Sequence, residues 1–346
     1  MLLQEGRKSQ IEPEQRQDRQ QRVLVTGGAG FIGSHLVEAL LQQNNNVVVI
    51  DSYEFDIERK RQNIAEARAL KYRGTLTVIE GDLNDDHILD SLQGEFDTIY
   101  HLAARPGVRP SFQDPVAYVE CNVTGTTRIL QWASRHKSVR FVFASSSSVY
   151  GDAAEVPFVE GKGADIPISP YAATKRAAEL MCTTFSQAYG IRVAIMRLFT
   201  VYGRRQRPDL AICKFISEAI HDKPISLYGD GSTMRDYTHV SDIVAGLISA
   251  DSWLQASPPG TWETFNLGSG RAYSLLEMVQ AVERSTMCRV QVVHDHLRRG
   301  DVVRTWANID KAGATLGYEP KVRFQEGMDD MVVWLRHIHG NENRPD

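Results

Sequence analysis

The chain of 346 residues is 42% hydrophobic, enough to bury a large core in one domain or two cooperating ones. Its 39 Lys and Arg against 43 Asp and Glu leave a formal charge of -4, which offers a polyanion no general attraction and argues against nucleic acid as a partner. Cys121, Cys182, Cys213 and Cys288 are widely spaced and read as buried thiols in a reducing compartment, not as a disulfide framework.

Residues 1–20 are almost wholly polar after Leu3 and are expected to be a disordered lead-in. They hold no apolar secretory core, and no later apolar run reaches the roughly 18 to 20 residues needed to span a bilayer, so a soluble, cytoplasmic protein is expected. Arg22 to Thr26 reads as a strand, Gly-Gly-Ala-Gly as a turn, and the segment through Leu36, Leu40 and Leu41 as a helix. Val47 to Ile50 supplies the next strand. Further strands are expected at Leu76 to Glu80, Thr98 to Leu102, Arg140 to Ala144 and Arg192 to Leu198, with long helices at Tyr118 to Ala133 and Tyr171 to Ala188. Apolar strands separated by helices predict an α/β fold, a Rossmann-like parallel sheet with helices on both faces. After about residue 203 the alternation breaks down into a smaller mixed region, expected to wall a cleft above the carboxyl edge of the sheet. The division is therefore a lead-in at 1–20, a dinucleotide-binding domain at 21–202, a ligand-binding region at 203–340 with segments free to return to the sheet, and a flexible tail at 341–346.

Gly27, Gly30 and Gly33 stand three apart between the first strand and its helix, where they permit a sharp turn, close approach of a pyrophosphate and tight packing of helix on strand. The alternative is a packing turn with no ligand. Asp51 ends the second strand about twenty residues after the turn, where a carboxylate can accept from both adenosine ribose hydroxyls and repels a 2'-phosphate, favouring NAD over NADP. It could instead cap the turn at Ser52. Arg59, Lys60 and Arg61 downstream read as a solvated helix face. Asp82 follows the third strand and either meets the adenine amino group or caps a helix beginning near Asn84.

Tyr171 and Lys175 are four apart on one helix face, so the lysine can favour a phenolate and hold a nicotinamide ribose hydroxyl. A surface pair has the same spacing; the serine run Ser145 to Ser148, able to orient a substrate oxygen, favours the catalytic reading. Arg109, Arg204, Arg205, Arg207, Arg235, Arg298, Arg299 and Arg304 offer forked donors to a diphosphate or carboxylate, or else form surface ion pairs. No metal site is expected, since His294-x-His296 and His337-x-His339 each offer only two imidazoles.

With VTGGAGFIGSHLV, EGDLND, HLAARPGVRPSF, FASSSSVYG, SPYAATKRAAE, RLFTVYGRRQRPDLA, YGDGSTMRDYTHVSDIV, FNLGSG and RRGDVVRTWANIDKA in this order, residues 22 to 336 resemble an extended short-chain dehydrogenase/reductase, specifically a nucleotide-sugar epimerase of the UDP-glucuronate 4-epimerase type. The resemblance implies a UDP-sugar substrate, NAD as cofactor and a homodimer built on the helices near 118–133 and 171–188. It assigns Ser146, Tyr171 and Lys175 to catalysis, and Phe31, Ile32, Leu83, Leu102, Ala103 and Ala104, with the glycines, Asp51 and Asp82, to the cofactor. It places Arg235 and Asp301 by the nucleotide end of the substrate and Ser147, Ser148, Thr200 and Arg207 around a uronate carboxylate; Arg109, a cationic donor of the cleft, joins them as a substrate-binding residue. UDP-galactose epimerases usually read Tyr-Phe-Asn-Pro-Val-Gly where this chain has Leu-Phe-Thr-Val-Tyr-Gly, which favours glucuronate. Sugar 4,6-dehydratases place Asp-Glu after the catalytic hydroxyl residue; Ser147 and Ser148 cannot do that acid/base work. Arg204 stands where many relatives have proline.

Overall fold

The computed structural model describes residues 20–136, 139–152, 155–163, 166–295 and 303–342. The lead-in up to residue 19, residues 343–346 and the segment containing Arg298, Arg299 and Asp301 lie outside the described residues.

Seven parallel strands form the main sheet in the spatial order Trp262–Leu267, Arg192–Leu198, Arg140–Ser146, Thr98–His101, Arg22–Thr26, Asn46–Asp51, Leu76–Glu80. The period-two alternation of the strands sorts their side chains between two cores. Val23, Val25, Val47 and Val49 face the helices Phe31–Gln42 and Val240–Ala256, whereas Leu24, Val48 and Ile50 share the opposite core with the helices Gly125–Ala133 and Pro170–Tyr189. Chain direction across the sheet reverses between Arg22–Thr26 and Thr98–His101, which opens a crevice at their carboxyl ends.

A third core gathers the helices Ala211–Ile220, Leu275–Thr286 and Phe324–Glu342 beside a two-stranded sheet and a three-stranded sheet. In the latter, Thr200–Tyr202 pairs in parallel with Met234–His239, so Thr200 stands opposite Tyr237. The strand Trp262–Leu267 and the helix Val240–Ala256 come from the second half of the sequence but pack with the main sheet.

The segment anticipated as one helix from Tyr118 to Ala133 has a π-helical turn, Glu120–Thr124, between Pro115–Val119 and Gly125–Ala133. Buried Asn122 occupies this turn, accepting from Arg105 N at 2.7 Å and donating to Thr174 Oγ1 at 3.1 Å. The helix Pro170–Tyr189 is delimited by local chemistry: Ser169 Oγ accepts from Ala172 N at 3.1 Å, Pro170 occupies the first turn, and Gly190 closes the end at φ +75°. Tyr171 is thereby fixed at the helix start, facing the crevice.

Candidate active site

The glycine turn leaves no room for side chains. A Cβ on Gly33 would stand 2.2 Å from Gly27 O, and one on Gly27, itself at φ +70°, would stand 2.7 Å from Ala103 N. The helix Phe31–Gln42 has no side-chain cap and no acid in its first turn, so its leading amides face the crevice. Together these residues fit a dinucleotide pyrophosphate: the backbone can approach closely and the donors are uncommitted to side-chain caps. A cavity of about 460 Å³ extends from this turn. All the residues that the sequence assigns to the cofactor line it: Gly27, Gly30, Phe31, Ile32, Gly33, Asp51, Asp82, Leu83, Leu102, Ala103, Ala104, Tyr171 and Lys175.

Asp51 combines turn formation with exposure to the cavity, accepting from Ala29 N at 3.1 Å and Tyr53 N at 3.0 Å. It also accepts from Lys60 Nζ at 2.8 Å, which corrects the expectation that Arg59 to Arg61 is only a solvated face. The helix Ile57–Ala69 starts directly beyond the strand's exit loop and turns Lys60 back onto Asp51, while Arg59 donates to Gln206 O at 2.6 Å. Asp82 accepts from Asn84 N at 2.8 Å, but the cap of the next helix is Asp85, which accepts from His87 N at 3.0 Å.

At the other end, Ser146 and Tyr171 meet. A hydrogen bond with Ser146 and the positive charge of Arg207 both hold the Tyr171 phenol down against the stronger upward push of burial, so its pKa lies above the ordinary tyrosine value. Lys175 donates to Ala144 O at 2.7 Å and stands 4.9 Å from the centroid of Phe143. Burial lowers its pKa to about 8. Arg207 is thus a cation that favours the phenolate and that the sequence had assigned to the sugar instead.

Thr200 and Arg207 line the same cavity, but Arg109, Ser147, Ser148 and Arg235 do not. Ser147 opens a 3-10 turn, Ser147–Tyr150, and Ser148 accepts from Ser146 Oγ at 3.1 Å. The Arg109 guanidinium lies 5.5 Å from the Tyr228 ring centroid, and Arg235 donates to Met234 O at 2.9 Å. Arg204 pairs with Asp330 of the helix Phe324–Glu342, and Arg205 pairs with Glu38 at 2.6 Å and Glu66 at 2.8 Å. These two arginines thus join elements of the fold, in line with the ion-pair alternative.

Sequence reasoning missed Glu179. It lies one turn beyond Lys175, is 1% exposed, and accepts from Ser145 Oγ at 2.6 Å and Arg197 Nε at 2.8 Å. The four-residue spacing that pairs Tyr171 with Lys175 extends to Glu179 and was the available signal. The carboxylate ties the helix bearing Tyr171 to the strand ending at Ser146 and the strand leading to Thr200.

Residues 24–331 match the family model described as GDP-mannose 4,6 dehydratase. The UDP-glucuronate 4-epimerase of Thermodesulfobacterium geofontis strain OPF15 is 35% identical over 318 residues, covering 90% of this chain and 95% of its own. Among solved structures, MoeE5 in complex with UDP-glucose and NAD is 37% identical with a TM-score of 0.81, over 92% of this chain and 99% of that one. The UDP-glucuronic acid 4-epimerase of Bacillus cereus, in complex with UDP-glucuronic acid and NAD, is 34% identical with a TM-score of 0.83, over 92% and 99% of the two chains.

Proposed function

The chain belongs to the nucleotide-sugar family described as GDP-mannose 4,6 dehydratase, within the extended short-chain dehydrogenase/reductases, and from that membership we propose that it inverts C4 of UDP-glucuronate to give UDP-galacturonate. The observation that carries the reading is the convergence, in one cavity, of the glycine turn, Asp51, the Ser146–Tyr171 pair and Thr200 with Arg207. The first two suit NAD, the pair suits proton transfer at a sugar hydroxyl, and the last two suit a carboxylate. The family model carries a dehydratase's description, but Ser147 and Ser148 supply no acid for water elimination.

When bound, NAD would accept the hydride from C4 and give it back to the opposite face of the same carbon, so that no net redox change occurs. Tyr171 takes the C4 hydroxyl proton as that hydrogen leaves, and Ser146 aligns the oxygen. Arg207 and Ser146 oppose the cost of a buried phenolate. Lys175, anchored by Ala144 O, would hold a ribose hydroxyl of the bound cofactor at the same end of the cavity. The 4-keto sugar then presents its other face, and Tyr171 returns the proton. Because C4 oxidation of glucuronate makes a β-keto acid, Thr200 has a second duty: it holds the carboxylate away from the alignment that releases carbon dioxide.

We place the UDP group toward Arg235, and keep the division between a dinucleotide domain at 21–202 and a sugar-binding region at 203–340. Exposed Val116, Val119 and Leu180 on the helices Pro115–Val119 and Pro170–Tyr189 support a homodimer. Four free thiols support a reducing cytoplasm, and no helix among the described residues is long and apolar enough to cross a membrane.

The deciding experiment incubates purified protein with UDP-glucuronate, UDP-glucose and UDP-N-acetylglucosamine separately and resolves epimers and pentoses by proton NMR. UDP-galacturonate should form with the highest kcat/KM. Faster inversion of a neutral sugar would establish the second reading, a UDP-glucose or UDP-N-acetylglucosamine 4-epimerase, which the position of Ser147 and Ser148 outside the cavity favours. Net pentose formation would instead identify a decarboxylase.

A further inference from the structure

The guanidinium that faces the reacting end of the cavity is already engaged. Arg207 donates to Asp209 at two points, Nε to Oδ1 at 3.0 Å and Nη2 to Oδ2 at 2.8 Å. Arg207 lines the cavity with Tyr171 and Thr200; Asp209 does not line it, and its side chain is 62% exposed. This two-point geometry is the one by which arginine grips a carboxylate ligand, and that edge of the fork holds only one carboxylate at a time. An anionic sugar that binds this edge must take it from Asp209, whereas a neutral sugar gains nothing by doing so.

We infer that Asp209 is an internal competitor for Arg207 and sets how tightly a sugar carboxylate is held, which makes it a specificity-determining residue for the uronate reaction proposed above. The inference rests on that reading. Inversion requires the keto sugar to present both faces, and its carboxylate must travel as it does so. A competing carboxylate on the same loop takes the guanidinium back as the sugar leaves it, so the cation is not left unpaired midway. Without the competitor, Arg207 grips the ground state and slows the turn.

The test compares Asp209→Asn, Asp209→Ala and Asp209→Glu with the parent protein loaded with NAD. Calorimetric titration should show UDP-glucuronate binding about two- to fivefold more tightly to the Asn and Ala variants, the range set by a solvent-exposed ion pair, with UDP-glucose binding unchanged. In turnover, KM and kcat for UDP-glucuronate should fall together, leaving kcat/KM within about twofold, the pattern of a ground state bound too well. Asp209→Glu should restore the parent's affinities. Equal tightening for both sugars, no tightening for UDP-glucuronate, or a Glu variant that behaves like Ala would overturn the role. A protein that binds UDP-glucuronate but inverts only neutral sugars would sink the functional reading, while the affinity comparison would still decide the part played by Asp209.

Discussion

Tyr171 is asked to ionise in a place that resists ionisation, and two neighbours reduce that resistance. Replacing it with Phe should lower kcat roughly 100- to 10,000-fold, the usual worth of a positioned acid/base, while calorimetry finds UDP-sugar binding nearly intact. The Arg207 charge lowers the phenol's pKa, so Arg207→Ala must raise it. The rising limb of the pH profile of kcat should accordingly move to higher pH, and a limb that stays in place would assign the base elsewhere. Thr200→Val keeps the volume but removes the hydroxyl beside the cavity. Carbon dioxide and pentose should then rise relative to UDP-galacturonate; an unchanged NMR product ratio would end its assigned duty. The position of Tyr171, Lys175 and Asp51 in one cavity was legible because each follows from local spacing. Their partners were not: Lys60 on Asp51 and Asp209 on Arg207 are charge pairings that many neighbouring ions could have made, and only the folded loops select them.

Elements were easier to read than their joints. The strands of the main sheet stand close to where β-branched, apolar runs put them, because burial on both faces leaves little choice of composition. The π-turn at Glu120–Thr124 left no periodic mark, since it is fixed by Asn122 reaching Arg105 and Thr174, residues distant in sequence. Glu179 is a similar joint. Its pair with Arg197 is 1% and 4% exposed, and Ser145 Oγ and Arg176 Nη1, the latter at 3.1 Å, complete its shell. Removing one partner strands a buried charge, so Glu179→Ala should cost about 3–5 kcal/mol in urea unfolding. The double substitution Glu179→Leu with Arg197→Met should recover most of that loss. If the double variant is stable yet slow, with KM unchanged and kcat reduced, the pair also holds Tyr171 and Ser146 in register; recovery of full activity would confine it to stability.

Among the described residues, three histidines, His101, His35 and His239, have pKa values lowered chiefly by burial and make the fold sensitive to acid. His101 is fully buried at the centre of a directional chain: Ala103 N donates to Thr26 Oγ1 at 3.3 Å, Thr26 Oγ1 to His101 Nδ1 at 2.7 Å, His101 Nε2 to Thr126 Oγ1 at 2.9 Å, and Thr126 Oγ1 to Asn122 O at 2.6 Å. The last bond commits the Thr126 hydroxyl as donor, which requires a proton on Nε2, and in the neutral ring Nδ1 then accepts from Thr26. A charged imidazole would set a second cation near Lys175, and burial together with the Lys175 charge lowers the His101 pKa to about 3. His35, whose ring is bonded to Arg204 O at 2.9 Å, is lowered to about 4, chiefly by burial. For all three, the unfolded chain binds the proton more readily than the folded one. Their contribution is therefore fully present above pH 6.5 and is lost as pH falls toward the folded values, at about 1.4 kcal/mol per histidine per pH unit. The melting temperature should decline steadily from pH 6.5 to 4.5, and His35→Gln, which keeps a donor for Arg204 O, should flatten part of that slope. An equal decline in parent and variant would move the acid sensitivity to the carboxylates, whose paired forms lose stability in the same direction but mostly below pH 4.5.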